Sequence, residues 1–132
     1  MTILLEIRNM NYSEILKEIK GGKFRTTYFL AGEETYYIDM ISDYIENNIL
    51  DESEKSFNQT VMYGRDVEVQ TLISLAKQFP MMSSRTVIIV KEAQDLKKID
   101  ELNSYISQPL ISTILVICYR GKKLDKRKTL YK

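Results

Sequence analysis

The chain has 132 residues, 44% of them hydrophobic and 28% charged, the make-up of one globular domain long enough to bury a core. Its net charge of +1 gives the whole molecule no strong preference for nucleic acid or membrane; the segment Arg120 to Lys132, however, holds seven bases and one acid, which leaves residues 1–119 with a net charge of −5. There is no histidine, which removes the commonest general base, the usual Ser-His and Cys-His nucleophile pairs and most zinc sites.

Ile3 to Leu5 is a short apolar opening whose state the pattern leaves undecided. A helix is expected from Asn11, a capping residue with Glu14 three positions on, and Gly21-Gly22 stops it. Thr27 to Ala31 reads as a strand apolar on both faces, and Gly32-Glu33-Glu34 as the turn after it. Tyr36 to Leu50 is a predicted helix, with Ile38, Ile41, Ile45 and Ile49 at intervals of three and four. Asp51 to Lys55 reads as a charged loop, Phe57 to Tyr63 as the next strand, and Asp66 as the cap of a helix carrying Val69, Leu72, Ile73 and Ala76. Pro80 lacks an amide hydrogen and disfavours helical geometry at Phe79, so that helix ends there. Thr86 to Val90 is β-branched and apolar on both faces, the pattern of a central parallel strand. A helix with Ile99, Leu102, Tyr105 and Ile106 inward ends by Pro109, and Ile114 to Cys118 is the last strand.

Strands that alternate with helices across short loops predict an α/β fold: an open parallel sheet of four to five strands with helices on both faces. The domain is expected to occupy residues 1–120. Residues 121–132 read as the basic start of a following element that is cut off.

Ligands of such sheets bind beyond the carboxyl ends of the strands. The first loop there has one glycine, Gly32, no lysine, and two adjacent carboxylates, Glu33 and Glu34, which would repel a triphosphate. Val87 to Asp95 looks like a degraded Walker B segment: Lys91, followed by Glu92, stands where an aspartate would help hold magnesium. The pair also reads as an ordinary surface Lys-Glu pair. These residues form a degenerate nucleotide site, and neither a catalytic set, a metal site nor a cofactor is predicted. Asp39 and Asp43, at i and i+4, read as a solvated face. Cys118, alone in an apolar run, reads as a buried inert thiol in a reducing compartment. No run reaches the length of a membrane span and the amino terminus is polar by residue 6, so no membrane contact and a cytoplasmic location are expected.

Phe79-Pro80-Met81-Met82-Ser83-Ser84-Arg85 places two large apolar side chains where a loop should be polar. Met81 and Met82 are either a docking knob or core gap-fillers that fold back, and local pattern alone leaves both open.

Tyr28-Phe29-Leu30-Ala31-Gly32-Glu33-Glu34 with Tyr37-Ile38, followed by Phe79-Pro80-Met81-Met82-Ser83-Ser84-Arg85 and Thr86 to Val90, resembles the N-terminal domain of the delta subunit of the bacterial DNA polymerase III clamp loader. The resemblance runs from about Ile15 to the Gly121-Lys122-Lys123-Leu124-Asp125 segment. It implies a P-loop NTPase or AAA+-like fold without a working phosphate loop, in a subunit that does not itself hydrolyse ATP. It also implies a DNA replication role: binding the sliding clamp (the beta subunit of the polymerase) and helping to open the ring. In that family two consecutive apolar residues enter a hydrophobic pocket of the clamp. The matching positions are Met81 and Met82, flanked by Phe79 and Pro80; family members commonly carry Leu or Phe-like side chains there, so the Met pair is a softer variant. Burying two Met side chains is worth about 3–6 kcal/mol before the costs of binding. The other loader subunits would be met through a lid and a collar domain missing here, and DNA through the assembled complex.

Two other readings are distinguishable. A divergent nucleotide-binding ATPase or small-molecule kinase would bind ATP with magnesium. A DNA-binding domain using Lys122 to Lys128 would bind with steep salt dependence.

Overall fold

The computed structural model describes residues 2–6, 12–32 and 35–120. The apolar runs form a five-stranded, wholly parallel sheet: β1 (Thr2–Glu6), β2 (Thr27–Gly32), β3 (Gln59–Tyr63), β4 (Thr86–Lys91) and β5 (Thr113–Arg120), in the spatial order β1-β2-β5-β4-β3. The apolar opening at Ile3 to Leu5 is thus an edge strand, paired with β2 in the register Ile3 to Tyr28.

Side chains alternate across a strand, so each apolar run feeds two cores. Phe29, Ile88, Val90, Leu115 and Ile117 face α4 (Val69–Ala76) and α5 (Leu102–Ser107), where Leu72, Ala76, Leu102 and Tyr105 are buried. Tyr28, Leu30, Val87, Ile89, Val116 and Cys118 face α1 (Tyr12–Lys20) and α2 (Thr35–Asn48), which contribute Ile15, Ile19, Ile38, Ile41 and Ile45. The runs are apolar on both faces because helices cover both faces.

Three expectations need correction. The segment expected as a charged loop is a helix, α3 (Glu52–Asn58): Asp51 accepts from the Glu54 amide at 2.9 Å while the Glu54 side chain accepts from the Asp51 amide at 3.2 Å. This reciprocal capping box supplies two of the bonds a short helix lacks. Phe57 consequently lies in α3, exposed, and β3 begins at Gln59. Asp66 caps nothing. It lies in a 3₁₀ turn, Gly64–Asp66, the chain then runs extended through Val67 and Glu68, and α4 starts without a side-chain cap. Gly64 is needed in that turn because a Cβ there would stand 2.5 Å from the Glu92 carbonyl oxygen. The last helix opens with a 3₁₀ turn, Ile99–Glu101. Asn11, Glu33, Glu34 and the basic stretch from Gly121 to Lys132 lie outside the described residues.

Candidate functional site

The α4–β4 loop begins where α4 is stopped from two sides. The Ala76 carbonyl, near the helix end, accepts from Thr113 Oγ1 at 2.9 Å and from Tyr105 Oη at 3.4 Å, both buried. Burial raises the Tyr105 phenol above its ordinary pKa, although the bond from the Leu110 amide works against this, so it stays a neutral donor. Pro80 then bars a further helical turn.

Beyond Pro80 the loop leaves the core. Met81 is 61% exposed, Met82 101% and Phe79 76%, while Pro80 is half-buried. The two methionines do not fold back. Met82 holds φ at 54°, the left-handed region that β-carbon-bearing residues enter at a cost of about 1–2 kcal/mol, and the neighbouring residues hold it there. Asn58, 3% exposed, donates from Nδ2 to the Met81 carbonyl at 2.8 Å and accepts from the Met81 amide at Oδ1 at 2.6 Å. Ser83 Oγ donates to Glu54 Oε2 at 2.6 Å and accepts from the Arg85 amide at 3.3 Å. Arg85 lies over the Phe24 ring, 4.6 Å from its centroid. Glu54 and Asn58 are one helical turn apart, so the face of α3 that carries them is the platform under the loop.

Of the residues expected at a degenerate nucleotide site, Gly32, Lys91 and Glu92 lie at the other end of the sheet. Gly32 ends β2 opposite Arg120 at the end of β5, and Lys91 ends β4. The expected Lys91–Glu92 pair does not form. Lys91 Nζ sits 3.5 Å from Glu46 Oε1 on α2, and Glu92 turns away with φ at 52°. Its carboxylate accepts from Gln94 Nε2 at 2.6 Å and lies 3.3 Å from Arg120 Nε, an ion contact without hydrogen-bond alignment. Arg120 also donates from Nη2 to Asp39 Oδ1, and its amide donates to Gln94 Oε1 at 3.0 Å. Asp39 is therefore not merely part of a solvated face, whereas Asp43 is exposed. The two cations at the strand ends are each paired with carboxylates, which leaves this end poorly suited to a polyphosphate. Beneath it, burial pushes the Cys118 thiol up to about 12, so the thiol stays protonated and inert.

Residue order marks neither Arg120 and Gln94 at this end nor Asn58 at the other, and offers Asp39 only as a solvated carboxylate. The signal for α3 was present in Asp51 and Glu54, a capping-box spacing; Arg120 and Asp39 carry no local signal. Tyr28 and Tyr105 are buried as expected. Tyr37 stacks on Tyr12 with centroids 3.9 Å apart, and Tyr36 is exposed at the rim. Among the described residues no helix is long and apolar enough to cross a membrane, and no group of three His, Cys, Asp or Glu side chains could hold a metal ion.

A parallel sheet in the order β1-β2-β5-β4-β3 with helices on both faces is an AAA+-like α/β fold, here with ion pairs at its carboxyl ends and a braced apolar loop at its amino ends. The family model described as DNA polymerase III, delta subunit, matches residues 28–132, and the chain belongs to that family. It is 32% identical over 129 residues to DNA polymerase III subunit delta of Bacillus subtilis (strain 168), an alignment that takes in 90% of this chain and 37% of the relative. The solved structure of the Bacillus subtilis DNA clamp loader delta protein (YqeN) superimposes with a TM-score of 0.80 at 28% identity, covering 92% of this chain and 39% of that one. The chain thus spans less than half the length of both.

Proposed function

We propose that this domain serves DNA replication as the clamp-binding part of a clamp-loader delta subunit, gripping the sliding clamp through Met81 and Met82 and helping to open the ring without hydrolysing ATP. The observation that carries the reading is the exposure of both methionines on a loop braced by Asn58 and Glu54. A preorganised pair of apolar anchors is the usual form of an interface hot spot. The ion-paired carboxyl end supports the absence of ATP hydrolysis here. On this reading residues 1–120 are the clamp-binding domain and residues 121–132 open a lid domain. Contacts with the other loader subunits and with DNA are made through the rest of the complex, in the cytoplasm, with no cofactor and no membrane contact.

The test is binding of the clamp from the same organism by the double variant Met81→Ala, Met82→Ala. The expected result is loss of binding with a nearly unchanged melting temperature, since both side chains are exposed. Clamp binding at wild-type strength by the double variant would overturn the proposal.

A further inference from the structure

Ile111 is 83% exposed, second only to Met82 among the described large apolar side chains. It tops the turn that joins α5 to β5, and the turn is held firmly. The Leu110 amide donates to Tyr105 Oη at 3.3 Å, the Thr113 amide donates to the Leu110 carbonyl at 3.1 Å, and the Thr86 amide, from the start of β4, donates to the Ser112 carbonyl at 2.9 Å. The exposure therefore belongs to a fixed backbone.

A groove of about 770 Å³ lies between this turn and the methionine loop, with Phe79, Pro80 and Arg85 on one side and Leu110 and Ile111 on the other. The residues that enter and leave the Met81-Met82 tip are thus themselves a wall of the groove. A protein that seats Met82 in a pocket brings its own surface down over Phe79 and Pro80, and Ile111 stands across the gap.

We propose that Ile111 is a second anchor of the docking surface, filling an apolar spot on the same partner beside the pocket that takes the methionines. The inference rests on the clamp-binding reading above, and its occupant is the clamp and no other protein. What points to the clamp is continuity: one pair of residues, Phe79 and Pro80, belongs to both the finger and the groove.

The test measures clamp binding by the full chain with Ile111→Ala, with Ile111→Glu and with the methionine double variant. Truncation of a well-seated aliphatic anchor is expected to weaken binding about tenfold. A carboxylate forced into the same apolar contact should weaken it further. Unaltered melting temperatures are expected for both variants, because the side chain packs against so little of its own domain. If the double methionine variant loses the clamp while both Ile111 variants bind like the parent protein, the second anchor is overturned and the clamp-binding reading stands. If the methionine variant still binds fully, both fall together.

Discussion

Asn58→Ala isolates the brace from the finger. Asn58 is buried at the end of α3 and reaches Met81 through two hydrogen bonds, 2.8 Å and 2.6 Å, while Nδ2 also lies 3.2 Å from the Glu54 carbonyl. A net hydrogen bond within a protein is worth about 0.5–1.5 kcal/mol. The Met81 amide and carbonyl lie on an exposed loop and can turn to water once freed, so no large penalty for stranded groups is added. The two bonds together predict a loss of about 1–3 kcal/mol in unfolding free energy, read as a lower urea midpoint with an unchanged slope. The second consequence is in binding. Without the Asn58 bonds to Met81, α3 holds the loop only through Glu54 and Ser83, on the far side of Met82, and the Met81-Met82 tip must be ordered when the partner docks. Ordering costs about 0.5–1.5 kcal/mol for each rotamer-rich side chain, so affinity for the clamp should fall about tenfold although no contacting atom has been removed. Two controls sharpen the test: Ser56→Ala, exposed on the same helix, should change neither quantity, and Asn58→Asp keeps an acceptor for the Met81 amide but faces the Met81 carbonyl with a carboxylate, so it should not rescue. A wild-type midpoint together with wild-type affinity in Asn58→Ala would refute the idea that α3 braces the loop.

The other end of the sheet gives two further tests. A fluorescent ATP analogue with magnesium should show no saturable binding, because Lys91 and Arg120 are already paired with Glu46, Asp39 and Glu92; tight binding would return the domain to the nucleotide enzymes. Alkaline stability tests the buried thiol. Cys118 titrates near 9 when unfolded and at about 12 in the fold, chiefly through burial. Between those values the unfolded chain sheds a proton that the folded chain keeps, so stability is full below pH 9 and falls as pH rises, by up to about 1.4 kcal/mol per unit. Tyr28 and Tyr105, also raised by burial, add to the fall above pH 10. The urea midpoint should therefore drop between pH 8.5 and pH 10 less steeply in Cys118→Ala than in the parent protein, and equal slopes would show the thiol to be accessible.

What could be read from residue order was whatever packs on both sides. β2, β4 and β5 announce themselves because every position faces a helix layer, and α2 because isoleucine recurs at one face. α3 hides because Glu52 to Ser56 holds no apolar residue, so helical periodicity has nothing to mark. It folds on its cap and on what Asn58 and Glu54 bind, not on a buried stripe. The Arg120–Asp39 pair is invisible for another reason. It joins residues 81 positions apart, and only the placement of β5 beside β2, with Arg120 opposite Gly32, brings them together. The solvated-face reading of Asp39 was the natural one for one of two carboxylates at i and i+4; a cation at the end of β5, the last strand, overrides it. Exposure of Met81 and Met82 was likewise undecidable locally, since it depends on Thr113 and Tyr105 stopping α4 and on Asn58 turning the loop outward.

The two ends of β4 show how an ion-paired end and an exposed apolar loop can coexist. Thr86 and Lys91 are about 17 Å apart at the rise of a parallel strand, and the five residues from Thr86 to Val90 are buried. Whatever stands at the carboxyl ends acts on Gly32, Lys91, Glu92 and Arg120; the amino ends answer to Ala76, Asn58 and the Pro80 turn. The ion pairs of Lys91 and Arg120 and the hydrogen bonds of Asn58 and Ser83 have no residue in common. A change among the ion pairs at the carboxyl ends therefore leaves the loop's supports untouched, and the close-packed strands between keep both ends in fixed relation. In sheets that bind nucleotides the carboxyl ends carry the ligand, which leaves the amino-end loops of the same scaffold open to a second use. A braced apolar tip there requires only that the sheet be rigid, and a sheet covered by helices on both faces meets that requirement whether or not a nucleotide is bound.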